Sequence, residues 1–275
     1  MKIEKHIETI LREQTRRGID DEVYTRIASM TDLTSLDGRD NNQTIKELCE
    51  RGRSIKNKFE GLANIAAICV YPVFVSLVRE SLSESGIATA CVAGAFPSGH
   101  LPLYLKLEEI KYAIQQGAEE VDMVISRGKM IGGETAYIRE EVESAKALCG
   151  KEVLLKVILE TGELSSEHLI RHAARIAMES GADFIKTSTG KSSPAATPEA
   201  FYYMLDEIRK YHSMSNRMIG IKAAGGIRDA GTALNYYFLT DAVLGEKWLH
   251  KRYFRFGASS LIDDLYRTVR GLSKE

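Results

Sequence analysis

Two kinds of apolar spacing alternate along almost the whole chain. Short consecutive apolar runs, the pattern of strands buried on both faces, occur at Ile27–Leu33, Ala66–Val70, Ala88–Val92, Glu120–Val124, Leu154–Leu159, Phe184–Thr187, Ile219–Ala223 and Phe254–Gly257. Between them, apolar residues recur at three- and four-residue intervals, which predicts amphipathic helices at Leu107–Gln116, Glu134–Leu148, Ser166–Glu179 and Pro198–Tyr211. Gly117, Gly150 and Gly181 each stand just ahead of the next strand, where a helix stop belongs. Eight strand–helix units in 275 residues predict an α/β protein, a (β/α)8 TIM barrel. A doubly wound open sheet is the alternative, but no GxGxxG turn follows an early strand. Residues 1–26 read as an additional pair of capping helices, with Ile3, Ile7, Ile10 and Leu11 forming one apolar face against the barrel's outside. No repeat or low-complexity linker interrupts the pattern, so residues 1–275 are expected to form one domain.

Four charges break the apolar strands: Asp122 in EVDMVIS, Lys156 in LLKVILE, Lys186 in DFIKTST and Lys222 in GIKAAGG. A buried lone charge costs several kcal/mol unless it is paired or loses its ionisation. Alternation groups Phe184, Lys186 and Ser188 on one face of the sixth strand and Gly220, Lys222 and Ala224 on the same face of the seventh. Adjacent strands lie about 5 Å apart, so the two lysines are expected to be neighbours inside the barrel, with Asp122 and Lys156 facing the same space. Bringing a lysine from a pKa of about 10.4 to about 7 takes roughly 4–5 kcal/mol. A second ammonium group and partial desolvation can supply that, giving an amine able to form an imine with a carbonyl compound. Structural salt bridges are the competing explanation, and spacing alone does not say which of Lys186 and Lys222 is the nucleophile.

Two glycine-bearing loops complete the picture. AAGGIRD (223–229) and FGASSLID (256–263) follow the seventh and eighth strands and enter helices. Backbone amides near Gly225, Gly226 and Gly257, with the hydroxyls of Ser259 and Ser260, suit a phosphate, and barrels commonly hold substrate phosphate there. Lys191, in TGKSSP after the sixth strand, adds a positive charge.

Composition narrows the class without naming a reaction. A formal net charge of −1 argues against a nucleic-acid surface. The amino terminus lacks an apolar signal core, and the run from Ile65 to Val75 is too short for a bilayer and contains Pro72. Cys49, Cys69, Cys91 and Cys149 are widely spaced, as in a reduced intracellular protein, so a cytoplasmic location with no membrane partner is expected. HLIRH holds His168 and His172 one turn apart without the glutamate of HExxH, and the other histidines are scattered, so no metal and no cofactor are expected.

These strings resemble the deoxyribose-phosphate aldolase family. The likeness runs from DLTSL (32–36) through AAICVYP, FPSG, EVDMV, LLKVILETGEL, GADFIKTSTGK and IKAAGG to FRFGASSL. It implies a metal-free class I aldolase that interconverts 2-deoxy-D-ribose 5-phosphate with D-glyceraldehyde 3-phosphate and acetaldehyde. By the resemblance Lys186 is the Schiff-base lysine, Lys222 the lysine that perturbs it, and Asp122 the proton-relay acid. It also places Lys191, Gly225, Gly226, Gly257, Ser259 and Ser260 at the phosphate, and Asp32, Thr34 and Cys69 near the sugar. A small phosphosugar substrate and a homodimer or larger homo-oligomer are expected. Two departures stand out: the family often reads KPAGG where this chain has Lys222-Ala223-Ala224-Gly225-Gly226, and some members end in a tyrosine where this chain ends at 271–275 in GLSKE.

Overall fold

A computed structural model describes residues 3–16, 18–62 and 64–272. Eight parallel strands close into a barrel in sequence order, β1 pairing with both β2 and β8. They are β1 (Thr31–Thr34), β2 (Ala67–Val70), β3 (Ala88–Ala93), β4 (Glu120–Val124), β5 (Leu154–Ile158), β6 (Phe184–Lys186), β7 (Gly220–Ala224) and β8 (Phe254–Ala258). Helices separate the strands around the outside, as in a (β/α)8 TIM barrel.

Seven strands fall within one residue of the sequence expectation at each end. The first does not. Ile27 and Ala28 finish helix α2 (Asp21–Ser29), and the strand begins only at Thr31. The apolar run Ile27–Leu33 crosses a helix end, because both the inner face of α2 and the strand after it are buried. The Asp20 carboxylate accepts from the Glu22 amide and caps α2. Helix α1 (Ile3–Thr15) lays Ile3, Ile7, Ile10 and Leu11 against the core, packing on the helices Pro198–Ser215 and Ala230–Leu244.

Register decides what lies inside. Lys186 pairs with Lys222, Lys222 with Arg255, and Asp122 with Lys156. The alternate set, including Leu33, Ile68, Val121, Leu155, Ile185, Ile221 and Phe256, belongs to the apolar layer between barrel and helices. Barrel interiors are usually filled by layers of branched aliphatics. Here the β2–β3 side of the interior carries a small apolar cluster, Ala67, Cys69, Ala90 and Val92. The remaining arc carries charge.

Candidate active site

Lys156, Lys186, Lys222 and Arg255 meet Asp32, Glu120 and Asp122 inside the barrel, all of them buried. Asp122 is the hub. Its Oδ1 accepts from Lys156 Nζ at 2.8 Å, and its Oδ2 accepts from Lys186 Nζ and Lys222 Nζ, each at 2.8 Å. Lys222 also donates to Asp32 Oδ2 at 2.5 Å, and Lys156 reaches Glu120 Oε2 at 2.6 Å and Asp32 Oδ2 at 3.9 Å. Arg255 grips two carboxylates, Asp32 Oδ1 at 2.6 Å and Glu120 Oε1 at 2.7 Å. Lys186 alone among the cations has a single carboxylate partner within salt-bridge distance.

Four cations against three carboxylates leave one positive charge in surplus. The titration directions show where it is relieved. Burial pushes the Lys186 amine below its ordinary value, Asp122 pulls it back, and Lys222 adds to the lowering. Burial acts on Lys222 in the same sense, but Asp122 and Asp32 together hold it above its ordinary value. Lys156 is likewise raised, burial being outweighed by Asp122 and Glu120. Burial would raise the Asp122 carboxyl, yet Lys156, Lys186 and Lys222 keep it well below the usual range. The perturbation expected from a neighbouring cation is thus present at Lys186, but desolvation is the larger cause.

Those carboxylates tie stability to pH. Asp32, Glu120 and Asp122 are all held below their unfolded values, which lie near 4. The unfolded chain therefore binds more protons in acid, so their contribution is present above about pH 5 and is lost as pH falls. The urea midpoint is expected to drop steeply between pH 5 and pH 3, and less steeply in Asp32→Asn. Parallel curves for the two proteins would contradict this.

Above the network, a cavity of about 330 Å³ opens at the carboxyl ends of the strands, bordered by Thr34, Lys186, Lys191, Gly225, Gly226, Gly257 and Ser259. Gly225 has φ +90°, and a Cβ there would stand 2.5 Å from the Ala195 Cβ, so the loop after β7 can lie against the loop after β6 only with glycine. At Gly257 an added Cβ would come within 3.0 Å of Lys222 Cε, the stem that carries the amine to Asp32 and Asp122. Lys191 Nζ donates to the Leu36 carbonyl at 2.6 Å, linking the loops after β6 and β1 across the mouth. A second cavity, about 340 Å³, opens at the opposite end beneath Phe184. Lys186 borders only the first.

The sequence model of the DeoC/LacD aldolase family matches residues 27–259. The chain belongs to this family. Its barrel superimposes with a TM-score of 0.80 on a candidate deoxyribose-phosphate aldolase from Toxoplasma gondii ME49, at 24% identity, covering 92% of this chain and 98% of that one. A structure described as QR15, an aldolase, is 27% identical with a TM-score of 0.72, covering 89% and 96%. A tetrameric deoxyribose phosphate aldolase from Aeropyrum pernix is 23% identical with a TM-score of 0.71, covering 94% and 96%.

Several residues expected at the site of this DeoC/LacD aldolase fall elsewhere than its cavity wall. Asp32, Asp122 and Lys222 are fully buried in the network beneath the cavity. Cys69 lies within the small apolar cluster, and burial, with Asp122 next, pushes its thiol up to about 11. Ser260 is exposed at the start of the last helix, outside the cavity lining, and its hydroxyl makes no cap bond. His168 and His172 pack edge to face on an outer helix, and among the described residues no cluster of ligand side chains could hold a metal. No helix there is long and apolar enough to cross a membrane. All four cysteines are free and buried. Of the tail at 271–275, residues 273–275 lie outside the described residues.

Arg255, Glu120, Arg228 and Glu160 escaped the sequence reading. Arg228 borders the cavity after the two glycines. Glu160, at φ +56°, accepts from the Thr189 amide and hydroxyl and from Arg127, bracing the loop that carries Gly190 and Lys191. Glu120 shares a face of β4 with Asp122, and Arg255 pairs with Lys222 across β7 and β8. They lay at the starts of their strands, where charges are ordinarily solvated.

Proposed function

We propose that this aldolase is a class I deoxyribose-phosphate aldolase and that Lys186 is its Schiff-base lysine. The observation that carries the reading is the position of Lys186. It is the one network amine bordering the cavity, and it has the fewest carboxylates to hold its proton.

In the cleavage direction the neutral Lys186 amine attacks C1 of open-chain 2-deoxyribose 5-phosphate, and loss of water gives an iminium ion. The C3 hydroxyl then gives its proton, through water, to the Asp122–Lys222 pair. The C2–C3 bonding electrons flow into the iminium, releasing glyceraldehyde 3-phosphate and leaving an enamine on Lys186. Protonation at C2 and hydrolysis deliver acetaldehyde and the free amine. Gly225, Gly226, Gly257 and Ser259, with Lys191 and Arg228, surround the space for the phosphate. No step calls for a metal or an organic cofactor.

The test is cleavage of 2-deoxyribose 5-phosphate with chelator present, combined with borohydride trapping of acetaldehyde and mass mapping. Activity with the adduct on Lys186 is expected. An adduct on another residue, or a fully chelator-sensitive reaction, would reject the assignment. Lys191→Ala is expected to raise KM for the phosphorylated sugar about 10-fold or more with a smaller change in kcat, as for lost ground-state binding. An equal rise for unphosphorylated 2-deoxyribose would remove Lys191 from the phosphate.

We further propose that the protein self-associates as a homo-oligomer. The Aeropyrum pernix neighbour is a tetramer, and Val73, Leu101, Tyr104 and Leu105 present exposed apolar surface. A monomeric mass by light scattering at micromolar concentration would refute this.

A further inference from the structure

We propose that Arg255 is a positioning residue for the Schiff-base reaction: by engaging Asp32 and Glu120 it leaves Asp122 to be shared among three lysines, so that Lys186 is the amine with the least carboxylate support. The inference rests on the reading of Lys186 as nucleophile and extends it to a side chain that does not border the substrate cavity.

Arg255 is a guanidinium, which does not give up its proton at any pH a protein survives. It engages one oxygen of Asp32 and both of Glu120, sharing Glu120 Oε2 with Lys156. Its Nε also donates to the Lys251 carbonyl, so the side chain is held from both sides. The three lysines then compete for what is left. Lys222 keeps Asp122 and the second oxygen of Asp32, and Lys156 keeps Asp122 and Glu120. Lys186 keeps Asp122 only. The surplus charge cannot leave through Arg255, so it leaves through the lysine with one partner.

Every strand facing Lys186 fits this arrangement. Asp122 and Glu120 stand on β4, Lys156 on β5, Lys222 on β7 and Arg255 on β8, with Asp32 on β1. Cys69 on β2 is the remaining titratable group acting on Lys186, and its raised thiol stays neutral at physiological pH. Lys222 is the neighbour expected to lower the Lys186 amine, yet its own charge is matched by Asp32. Arg255 acts on Lys186 only through the carboxylates it occupies, Asp32 and Glu120.

Four variants and one readout test this. The pH dependence of borohydride trapping of acetaldehyde at Lys186 is measured in wild type, Arg255→Met, Glu120→Gln and the double variant, each checked for folding by circular dichroism. Arg255→Met leaves three lysines facing three carboxylates, so the trapping profile is expected to move alkaline by about one unit. Trapping at neutral pH falls about tenfold and is restored in alkali. Arg255→Lys keeps a charge and is expected to stay within about threefold of wild type. Glu120→Gln enlarges the surplus and moves the profile acidic. The double variant restores a surplus of one and returns the profile toward wild type, which a purely structural role would not do. Folded Arg255→Met with an unmoved profile overturns the proposal. If that variant does not fold, an unmoved Glu120→Gln profile overturns it equally. Wild-type protein that traps nothing at Lys186 refutes the Schiff-base reading itself, a result distinct from either.

Discussion

Lys186→Met is expected to lose both acetaldehyde trapping and sugar cleavage, with kcat/KM falling at least about a thousandfold, while the barrel keeps or gains stability. The two halves of this expectation come from the same contacts. Catalysis fails because no other amine of the network can stand in: Lys156 and Lys222 are fully buried, each is held by more than one carboxylate, and neither borders the cavity. Stability survives because the network loses its surplus charge and only one ion-pair contact. Three cations then face three carboxylates, and Asp122 still accepts from Lys156 and Lys222. Removing one member of a buried pair ordinarily costs about 3–5 kcal/mol because it strands the other. Here nothing is stranded. Kinetics and thermal melts on the same preparation check both parts. Residual trapping mapped to Lys222 would reassign the nucleophile, and a melting temperature lower by ten degrees or more would show that the Lys186–Asp122 contact is structural.

How much of this site the sequence disclosed follows from where each residue sits in its strand. Asp122, Lys156, Lys186 and Lys222 lie within or at the inner half of apolar runs, so each is conspicuous as a charge that needs a partner. Seven of the strands were legible for the same reason: a strand buried on both faces has few residues that are not apolar. The first was misplaced because Ile27, Ala28 and Met30 are buried too, on a helix whose end abuts the strand. Helix ends were softer still. The helix at Leu103–Gln115 starts four residues before its expected beginning, and Pro198–Ser215 ends four later, since these turns carry little apolar periodicity. Alternation placed Lys186 beside Lys222, but no spacing rule reports how many carboxylates each amine meets. That difference depends on Asp32 and Arg255, brought beside Lys222 by closure of β8 on β1 and β7. Without the resemblance to aldolases, the difference between the two amines becomes visible only when the barrel is closed.

Asp122→Asn is expected to separate imine formation from the proton transfers that follow it. Asparagine keeps the shape of the side chain but removes the one charge shared by Lys156, Lys186 and Lys222. Four cations then face two carboxylates. Breaking such a set costs on the order of 3–5 kcal/mol when the partner charges remain, and less where a lysine sheds its proton instead. The variant is therefore expected to melt lower but to fold, with trapping at Lys186 persisting and its profile shifted to more acid pH. Proton transfer is another matter. A group positioned to move a proton in the transition state contributes about 10²–10⁴-fold, and Lys222 without Asp122 has lost the acceptor that completes the pair. Incorporation of deuterium into the methyl group of acetaldehyde, which reports iminium–enamine exchange without sugar cleavage or phosphate binding, is expected to slow by about 10²–10⁴-fold. Exchange as fast as in wild type would assign the relay to water or to Lys222 alone. Loss of trapping in a folded variant would mean instead that Asp122 acts earlier, on the attack of the amine.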